Sequence, residues 1–270
     1  MREINGSTQI FGILADPIHH VKTPQRINQL FAERQIDGVM VPVHVKPEGL
    51  AQAVQGLRTL QNLGGFVVTV PHKTAIVALC DEMTPEARLI GAVNVVRRTA
   101  DGRLVGGMLD GEGFVSGLRS QGLEPAGRSV YLAGAGGAAS AIAFALAGAG
   151  VRRLTIANRT ADKAQQLIDR IASHFPALSL AVGSEDPAGH ELVVNGTSLG
   201  LHPGDALPLN VDCLEPQQIV AEIIMQPAET PLLRAAQAKG CRVHFGAPML
   251  SSQIALMAAF MRGATPAEGT

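Results

Sequence analysis

An α/β fold built around mainly parallel sheets is the fold class that this sequence predicts. Short runs of β-branched residues alternate along the chain with longer stretches rich in alanine and leucine, which is typical of βαβ units. A glycine-rich turn at residues 134–139 separates a predicted strand from a predicted helix. The 270 residues, of which 46% are hydrophobic and 17% charged, suffice for two ordinary domains with sizeable cores.

The first half of the chain predicts one layered α/β unit. Its helices are set by apolar spacing, such as that of Leu50, Val54 and Leu57, and by candidate caps such as Thr23. Pro71 stops the third strand, because proline donates no backbone hydrogen bond. We expect strands at residues 10–14, 39–43, 65–70, 92–98 and 104–106, and helices at residues 24–34, 47–62, 73–83, 85–90 and 111–121.

A second series of strands and helices begins at Ser129, after a turn region that contains Pro125 and Gly127. The last strong helix, residues 248–261, is apolar on most sides, so we expect it to be buried against another element. Two domains with a small-molecule cleft between them are the simplest organisation. We expect the strands of the second series at residues 130–133, 153–157, 178–181, 192–195, 219–224 and 242–245.

The composition excludes several classes of function. A formal net charge of -1 leaves no basic excess for nucleic acid or for an anionic membrane. The three cysteines, Cys80, Cys213 and Cys241, lie too far apart in sequence for the paired spacing of a zinc site. The chain has neither a secretory leader pattern nor an uncharged apolar run of about 18 residues. We therefore expect a cytoplasmic protein that binds a small molecule and no metal, nucleic acid or membrane.

A phosphate-binding turn is the strongest local signal. The strand that ends at residue 133 leads directly into Gly134-x-Gly136-x-x-Ala139, and strong helix formers follow. In such a turn the first glycine permits the tight bend, the second lets a pyrophosphate approach the backbone, and the third small residue lets helix and strand pack closely. Close packing alone also explains some glycines at strand ends, but a position between strand and helix favours a dinucleotide. The predicted contacts are Gly134, Ala135, Gly136, Gly137 and Ala138.

The end of the next strand predicts NADP, rather than NAD, as the cofactor. It reads Asn158-Arg159-Thr160, where an NAD enzyme usually places an acidic residue for the ribose hydroxyls. Arg159 can instead make charge-assisted hydrogen bonds with a 2′-phosphate, assisted by Thr160 and Lys163. An ordinary solvated cation is the alternative for Arg159 taken by itself. The spacing of Arg159 from the glycine turn favours its interaction with the 2′-phosphate.

Taken in order, several stretches of the chain resemble the shikimate/quinate dehydrogenase family. They are residues 16–24 with Asn28, and residues 68–73, 91–94, 110–113, 134–139, 158–160, 195–200, 230–233 and 246–250 with Gln253. The resemblance implies a substrate-binding domain, residues 1–108 and 247–270, in which the C-terminal helices complete an N-terminal α/β domain. It also implies a Rossmann domain, residues 109–246, for NADP or NAD.

A catalytic pair, Lys73 and Asp110, is implied by the same resemblance. Oxidation of a secondary alcohol requires a base for the hydroxyl proton while hydride leaves for the nicotinamide, and the reverse reaction requires an acid at the carbonyl oxygen. A desolvated lysine beside a carboxylate can fill both roles. Taken alone, Lys73 would be a surface lysine at a helix start and Asp110 a helix cap. Their matching flanks favour the catalytic interpretation.

Further family positions are filled by polar residues. The resemblance assigns Thr69, Asn94 and Gln253 to the ring hydroxyls of the substrate. Buried amides and hydroxyls are costly unless paired, so a polar ligand would explain them, although bonding to the backbone is the alternative, above all for Thr69. On the cofactor side, the matching positions are Thr197, Ile223 and Gly246.

The chain departs from the family in its substrate-binding positions. The usual carboxylate clamp, Ser-x-Ser before a proline, is Val21 and Thr23 here. Where the family typically has Asn, Asn-Thr and Tyr, this chain has Val67, Met108-Leu109 and Met225. A site built for a polar group discriminates strongly against mismatched ligands. We therefore expect a dehydrogenase that uses shikimate poorly and acts on a related, less polar cyclic hydroxy acid.

Two other interpretations are compatible with the sequence. A non-catalytic NADP(H)-binding sensor could have inherited the fold, since fold does not determine function, although retention of Lys73 and Asp110 argues against it. A dehydrogenase of the quinate or aminoshikimate type would differ only in the pocket, and Thr23 is compatible with quinate. Both a monomer and a homodimer are compatible with the chain.

Overall fold

The structure, a computed structural model, describes residues 3–19 and 21–264. The chain divides into two compact units, Met1–Leu109 with Ser252–Thr270, and Asp110–Ser251. Residues 265–270, the end of the predicted substrate domain, lie outside the described residues. Each unit contains its own sheet with helices, so the α/β fold class predicted from the sequence is confirmed.

The first unit is built on a mixed sheet. Its strands are β1 (Gln9–Ala15), β2 (Gly38–His44), β3 (Leu63–Val68), β4 (Glu82–Met83), β5 (Val95–Arg98) and β6 (Leu104–Gly107). The described residues arrange them in the order β2-β1-β3-β5-β6-β4, with β1 parallel to β2 and β3, and β5 antiparallel to β3 and β6. The helices are α1 (Thr23–Glu33), α2 (Leu50–Thr59) and α3 (Pro85–Ile90). Buried Phe11, Phe31 and Phe66 fill its core.

The second unit is built on a parallel sheet. Its strands are β7 (Ser129–Ala133), β8 (Arg153–Ala157), β9 (Ser179–Val182), β10 (Leu192–Asn195), β11 (Ile219–Glu222) and β12 (Arg242–His244). The described residues give the order β12-β11-β10-β7-β8-β9, in which all neighbours are parallel. The helices are α4 (Asp110–Ser120), α5 (Gly137–Gly148), α6 (Ala161–His174) and α7 (Pro231–Ala238). This is the strand order of a Rossmann fold. From β7 the chain first adds strands on one side of the sheet, β8 and β9, and then on the other, β10 to β12. In such folds ligands bind at this switch point, at the carboxyl ends of the strands.

Helix α8 (Ala247–Arg262) has its last turns in the first unit. A Cβ added to Gly107 would lie 2.8 Å from the ring of Phe260, and one added to Gly65 would lie 3.1 Å from the side chain of Met261. The two glycines therefore let α8 approach the sheet closely, and at Gly65 a Cβ would also collide with the Val96 carbonyl oxygen of the neighbouring strand. In the parts of the chain that the structure describes, neither α8 nor any other helix is long and apolar enough to cross a membrane.

One predicted helix, residues 73–83, is wrong. The segment contains only a short 3-10 helix, Ala75–Leu79, followed by β4. The carbonyl of Lys73 accepts a hydrogen bond from the Val93 amide at 2.8 Å, and the Asp81 amide donates to the Leu104 carbonyl at 2.9 Å. Backbone groups that a helix would pair locally are thus taken by distant partners, and tertiary context overrides the local helix propensity. The predicted helix 47–62 also begins as a 3-10 turn, Pro47–Gly49, and ends at Thr59.

Candidate active site

The glycine turn of the second unit requires glycine at its first position. Gly134 has a φ of +112°, a conformation that residues with a side chain rarely adopt. A Cβ there would lie 3.1 Å from both the Gly196 backbone and the Thr197 side chain. The Gly134 amide donates to the Ala157 carbonyl at 2.7 Å, which joins the turn to the end of β8. The turn therefore brings together the carboxyl ends of β7, β8 and β10.

A helix start without a side-chain cap follows this turn. Helix α5 begins at Gly137, and its N-cap residue, Gly136, has no side chain that could satisfy the amides of the first turn. A Cβ added to exposed Gly136 would meet no atom within 4 Å, so there is open space beside the backbone. The first turn also contains no acidic residue. Such a terminus fits the pyrophosphate of a dinucleotide, and Ala135 and Ala138 are half-buried around it.

Basic side chains lie at the same edge of the sheet. Because Ala133 is paired in register with Ala157, the residues after β8 lie beside the glycine turn. There Asn158 donates its side-chain amide to the Thr160 carbonyl at 2.9 Å and shapes the turn into α6. Arg159, Thr160 and Lys163 are exposed around it. This placement puts the cations Arg159 and Lys163, together with the exposed carboxylate of Asp162, at the sheet edge where α5 begins.

The other side of the glycine turn is shaped by loops after β10 and β11. Thr197 donates to the Asn195 side-chain oxygen from its amide at 3.0 Å and from its hydroxyl at 2.7 Å. A Cβ on Gly246 would collide with the backbone of Ile223 and Ile224, so only glycine allows this approach. The structure thus brings Ile223 and Gly246 into contact and fixes Thr197 in the neighbouring loop.

Glu222, at the end of β11, is a functional candidate that the sequence predictions missed. Its side chain is buried, and its carboxylate accepts hydrogen bonds from Asn195, from Thr230 and from two backbone amides. Burial raises the pKa of Glu222 above the ordinary carboxyl value, while these donors oppose the shift. The signal in the sequence was an acidic residue that ends the apolar run from Ile219 to Ala221.

Three predicted site residues of the first unit are brought together after β3. The Val68 amide donates to the Asn94 carbonyl at 2.7 Å, and the Val93 amide donates to the Lys73 carbonyl at 2.8 Å. The Asn94 side-chain oxygen accepts from the Leu109 amide at 2.9 Å. Asn94 is buried, and Thr69 and Lys73 are half-buried.

Buried His72 anchors this loop. Its Nε2 lies 2.7 Å from the Val45 carbonyl, so this nitrogen donates and the ring is tied to the segment after β2. Its backbone amide donates to the Thr69 carbonyl at 2.9 Å. The neighbour of Lys73 in the sequence is thus occupied in holding the loop.

The first clamp position, Val21, lies in the loop that follows β1, and the second, Thr23, is the first residue of α1. The Asp16 amide donates to the Val70 carbonyl at 3.1 Å, so this loop is bonded to the one that carries Thr69. Val21 is half-buried, whereas Thr23 is buried at the first turn of α1. The structure therefore places the Val21 segment at the same edge of the first sheet as Thr69.

The remaining predicted residues belong to helices. Gln253 is buried on α8, in the part that belongs to the first unit. Asp110 is buried at the start of α4 and belongs to the second unit. The apolar replacements Val67 and Met108 are buried, and Met225 is half-buried. Within residues 3–19 and 21–264, no group of three or more His, Cys, Asp or Glu side chains could hold a metal ion.

Comparison with known proteins identifies relatives over nearly the whole chain. Residues 13–96 match the shikimate dehydrogenase substrate binding domain, and residues 119–198 match the shikimate / quinate 5-dehydrogenase model. The shikimate dehydrogenase (NADP(+)) of Rubrobacter xylanophilus is 41% identical over 257 residues, which cover 93% of this chain and 89% of that protein.

Solved structures extend the similarity to the fold. The shikimate 5-dehydrogenase of Thermus thermophilus, in complex with NADP(H) and shikimate, is 32% identical with a TM-score of 0.84, and the match covers 97% of both chains. The ligand-free 5-ketofructose reductase of a Gluconobacter species is 33% identical with a TM-score of 0.81, and the match covers 97% of this chain and 96% of that one. This chain belongs to the shikimate dehydrogenase family.

Proposed function

We propose that the protein is an NADP-dependent oxidoreductase of the shikimate dehydrogenase type. It transfers hydride reversibly between NADP(H) and the secondary alcohol or ketone of shikimate or a related cyclic hydroxy acid. The observation that carries the proposal is the uncapped start of α5 with Arg159 at the same sheet edge. The similarity to shikimate dehydrogenase (NADP(+)) of Rubrobacter xylanophilus supports it.

The second unit holds the cofactor. The amides at the start of α5 bind the pyrophosphate, and Gly134 and Gly136 keep side chains away from it. Arg159 donates to the 2′-phosphate, with Thr160 and Lys163 beside it on the exposed turn. The positions directly after β8, where an NAD enzyme usually places an acidic residue, are Asn158 and Arg159, and the nearest acidic residue, Asp162, lies in the first turn of α6. This charge pattern supports NADP over NAD.

The first unit supplies the acid and base. Lys73 removes the proton of the substrate hydroxyl in the oxidative direction and returns it to the carbonyl oxygen in the reductive one. Asp110, at the start of α4 in the second unit, is the other residue of the proposed catalytic pair. The cofactor, when bound, accepts or supplies the hydride. The backbone bond from Val93 to the Lys73 carbonyl and the anchored His72 hold the loop, so the ammonium group is presented from a fixed main chain.

Polar side chains of the first unit orient the substrate. Thr69, Asn94 and Gln253 bond the ring hydroxyls, and Thr23 bonds the carboxylate beside Val21. Asn94 is well suited to this, because it is buried and its side-chain oxygen accepts from the Leu109 amide, which sets the orientation of the side-chain amide group.

The substrate differs from shikimate in being less polar. Val21, Val67 and Met108 put apolar side chains at positions where the family has hydrogen-bonding ones, and buried apolar groups leave the matching substrate hydroxyls unpaired. A relative of similar fold is named 5-ketofructose reductase, so substrate identity varies among similar chains. We expect weak activity with shikimate itself.

A screen of cyclic hydroxy acids tests the proposal. The purified protein is incubated with shikimate, quinate, aminoshikimate and less hydroxylated ring acids, each with NADP⁺ and with NAD⁺, while the absorbance of the reduced nicotinamide is followed. We expect NADP⁺-dependent turnover, faster with a less polar acid than with shikimate. Binding of NADPH without turnover of any acid would favour the sensor, and a kcat/KM for shikimate equal to that of the Thermus thermophilus relative would contradict the substrate divergence.

A further inference from the structure

One buried carboxylate joins the two loops on the β10 and β11 side of the glycine turn. Oε1 of Glu222 accepts from the amides of Ile223 at 2.8 Å and Ile224 at 3.1 Å. Oε2 accepts from the Thr230 hydroxyl at 3.0 Å, and the Asn195 amide nitrogen lies 3.0 Å from Oε2 and 3.1 Å from Oε1. Glu222 is 0% exposed, so water does not compete for these bonds.

Two arms of this network end at positions expected to face the cofactor, and the third, through Thr230, ends at the N-cap of α7. Through Asn195, whose oxygen accepts twice from Thr197, the carboxylate orients the loop after β10. Through the amides of Ile223 and Ile224 it holds the backbone on which Gly246 packs. Glu222 thus connects the loop that carries Thr197 to the backbone of Ile223, on which Gly246 packs.

The side of the turn on which these positions lie determines which part of the cofactor they meet. Arg159 marks the 2′-phosphate side, after β8, and the pyrophosphate lies at the start of α5. Since β10, β11 and β12 are on the opposite side of β7, the nicotinamide half extends toward them. Thr197, Ile223 and Gly246 therefore line the nicotinamide end.

We propose that Glu222 is a positioning residue that sets the nicotinamide end of the cofactor site by holding the loops after β10 and β11 in one fixed arrangement. This inference rests on the proposed NADP-dependent function. All partners of the carboxylate are donors, so the network requires an acceptor at both oxygens. Glutamine at this position has the same shape but directs its amide group at the donor group of Asn195. That nitrogen cannot turn away, because the Asn195 oxygen is held by Thr197.

Binding measurements with the whole protein test this role. The dissociation constants of NADPH and of adenosine 2′,5′-bisphosphate, which lacks the nicotinamide half, are measured by titration calorimetry for the wild type and Glu222→Gln. We expect the variant to bind NADPH about tenfold more weakly, as for loss of a buried charged hydrogen bond, and the bisphosphate within about twofold of the wild type. The matched control is Glu229→Gln, which removes the same charge from an exposed position in the same loop and changes neither constant.

A second pair of variants guards against misfolding of Glu222→Gln. Thr230→Val keeps the carboxylate but removes the hydroxyl that donates to Oε2 and that also caps α7 by accepting from the Leu233 amide, and Thr230→Ser restores both bonds. We expect weaker NADPH binding in the valine variant, with unchanged bisphosphate binding, and recovery in the serine variant.

The possible results separate this inference from the function on which it rests. Equal weakening of NADPH and bisphosphate in Glu222→Gln would indicate a merely structural role and overturn the inference, as would unchanged binding of both. A wild type that binds neither compound would overturn the proposed function, and this inference with it.

Discussion

The two units differ in what makes their candidate sites. In the second unit, backbone geometry dominates: Gly134 has a positive φ, the start of α5 has no side-chain cap, and a Cβ at Gly246 would collide with the backbone of Ile223 and Ile224. In the first unit, side chains such as Thr69 and Asn94 are the expected ligand contacts. A site made by backbone tolerates little change, whereas one made by side chains can change its ligand without changing its fold.

The packing around each position determines which residue replacements the two units tolerate. Val67 and Met108 are buried among other apolar groups, and an apolar side chain of suitable volume is readily accepted there. By contrast, a Cβ at Gly246 would strike the backbone of Ile223 and Ile224, which cannot give way without displacing a loop. An apolar replacement in the core of the first unit is therefore accommodated more readily than a side chain at Gly246 in the second.

The largest expected effect is that of Lys73→Ala, which should impair catalysis without impairing cofactor binding. Loss of the acid and base should lower kcat about a thousandfold, because general acid–base catalysis contributes about 10²–10⁴. Binding of NADPH should stay nearly unchanged, because Lys73 belongs to the first unit. Lys46→Ala, at an exposed position of the same unit, is the control for steady-state kinetics and NADPH titration. An active Lys73→Ala enzyme would remove Lys73 from the mechanism.

Arg159→Ala tests the cofactor half. Loss of charge-assisted hydrogen bonds to a phosphate should weaken NADPH about 10- to 100-fold, since each is worth about 1.5–3 kcal/mol, and should leave NADH nearly unchanged. Fluorescence titration with both nucleotides measures the effect. The control is Arg153→Ala, an exposed arginine at the opposite end of β8. Equal losses for NADPH and NADH would show that Arg159 is an ordinary solvated cation.

Val21→Ser tests whether the first unit has diverged. A restored hydroxyl at the clamp should raise kcat/KM for shikimate about fivefold, the value of one net hydrogen bond. Val21→Ala serves as the control, because it shortens the side chain without adding a donor. If alanine raises kcat/KM as much as serine does, the cause is space and not hydrogen bonding.

The smallest expected effect concerns two carboxylates, one in each unit. The Leu104 amide and the Arg58 guanidinium lower the pKa of Asp81, so its contribution to stability is present above the unfolded pKa and is lost as pH falls below about 4. Burial raises the pKa of Glu222 in the folded protein. The contribution of this shift to the free energy of unfolding is therefore fully present below the unfolded pKa and is lost as pH rises through the folded pKa.

Urea unfolding of Asp81→Asn, Glu222→Gln and the wild type across the acidic and neutral pH range measures these slopes. The free-energy difference between wild type and Asp81→Asn should increase with pH and reach about 1 kcal/mol or less, because the ion pair is partly exposed. The difference between wild type and Glu222→Gln should decrease with pH. Slopes of the same sign would show that one of the two shifts is assigned in the wrong direction.

Local patterns in the sequence were sufficient for the fold class and for the positions of most elements. Alternation of apolar residues along strands and their spacing along helices depend only on neighbours in sequence. The glycine turn and the Asn158–Thr160 segment are likewise continuous stretches of chain, so their place between strands and helices could be read directly. The functional roles of these residues remain predictions that the variants above address.

Only the tertiary structure decided the features that depend on distant partners. The sequence of residues 73–83 favours a helix, but hydrogen bonds to Val93 and to β6 leave a 3-10 turn and a short strand. Glu222 was not recognisable as the centre of a network, because Asn195 is 27 residues away along the chain. Burial and hydrogen-bond partners are set by the packing of the whole unit, whereas the glycine turn at Gly134 is determined by the local chain itself.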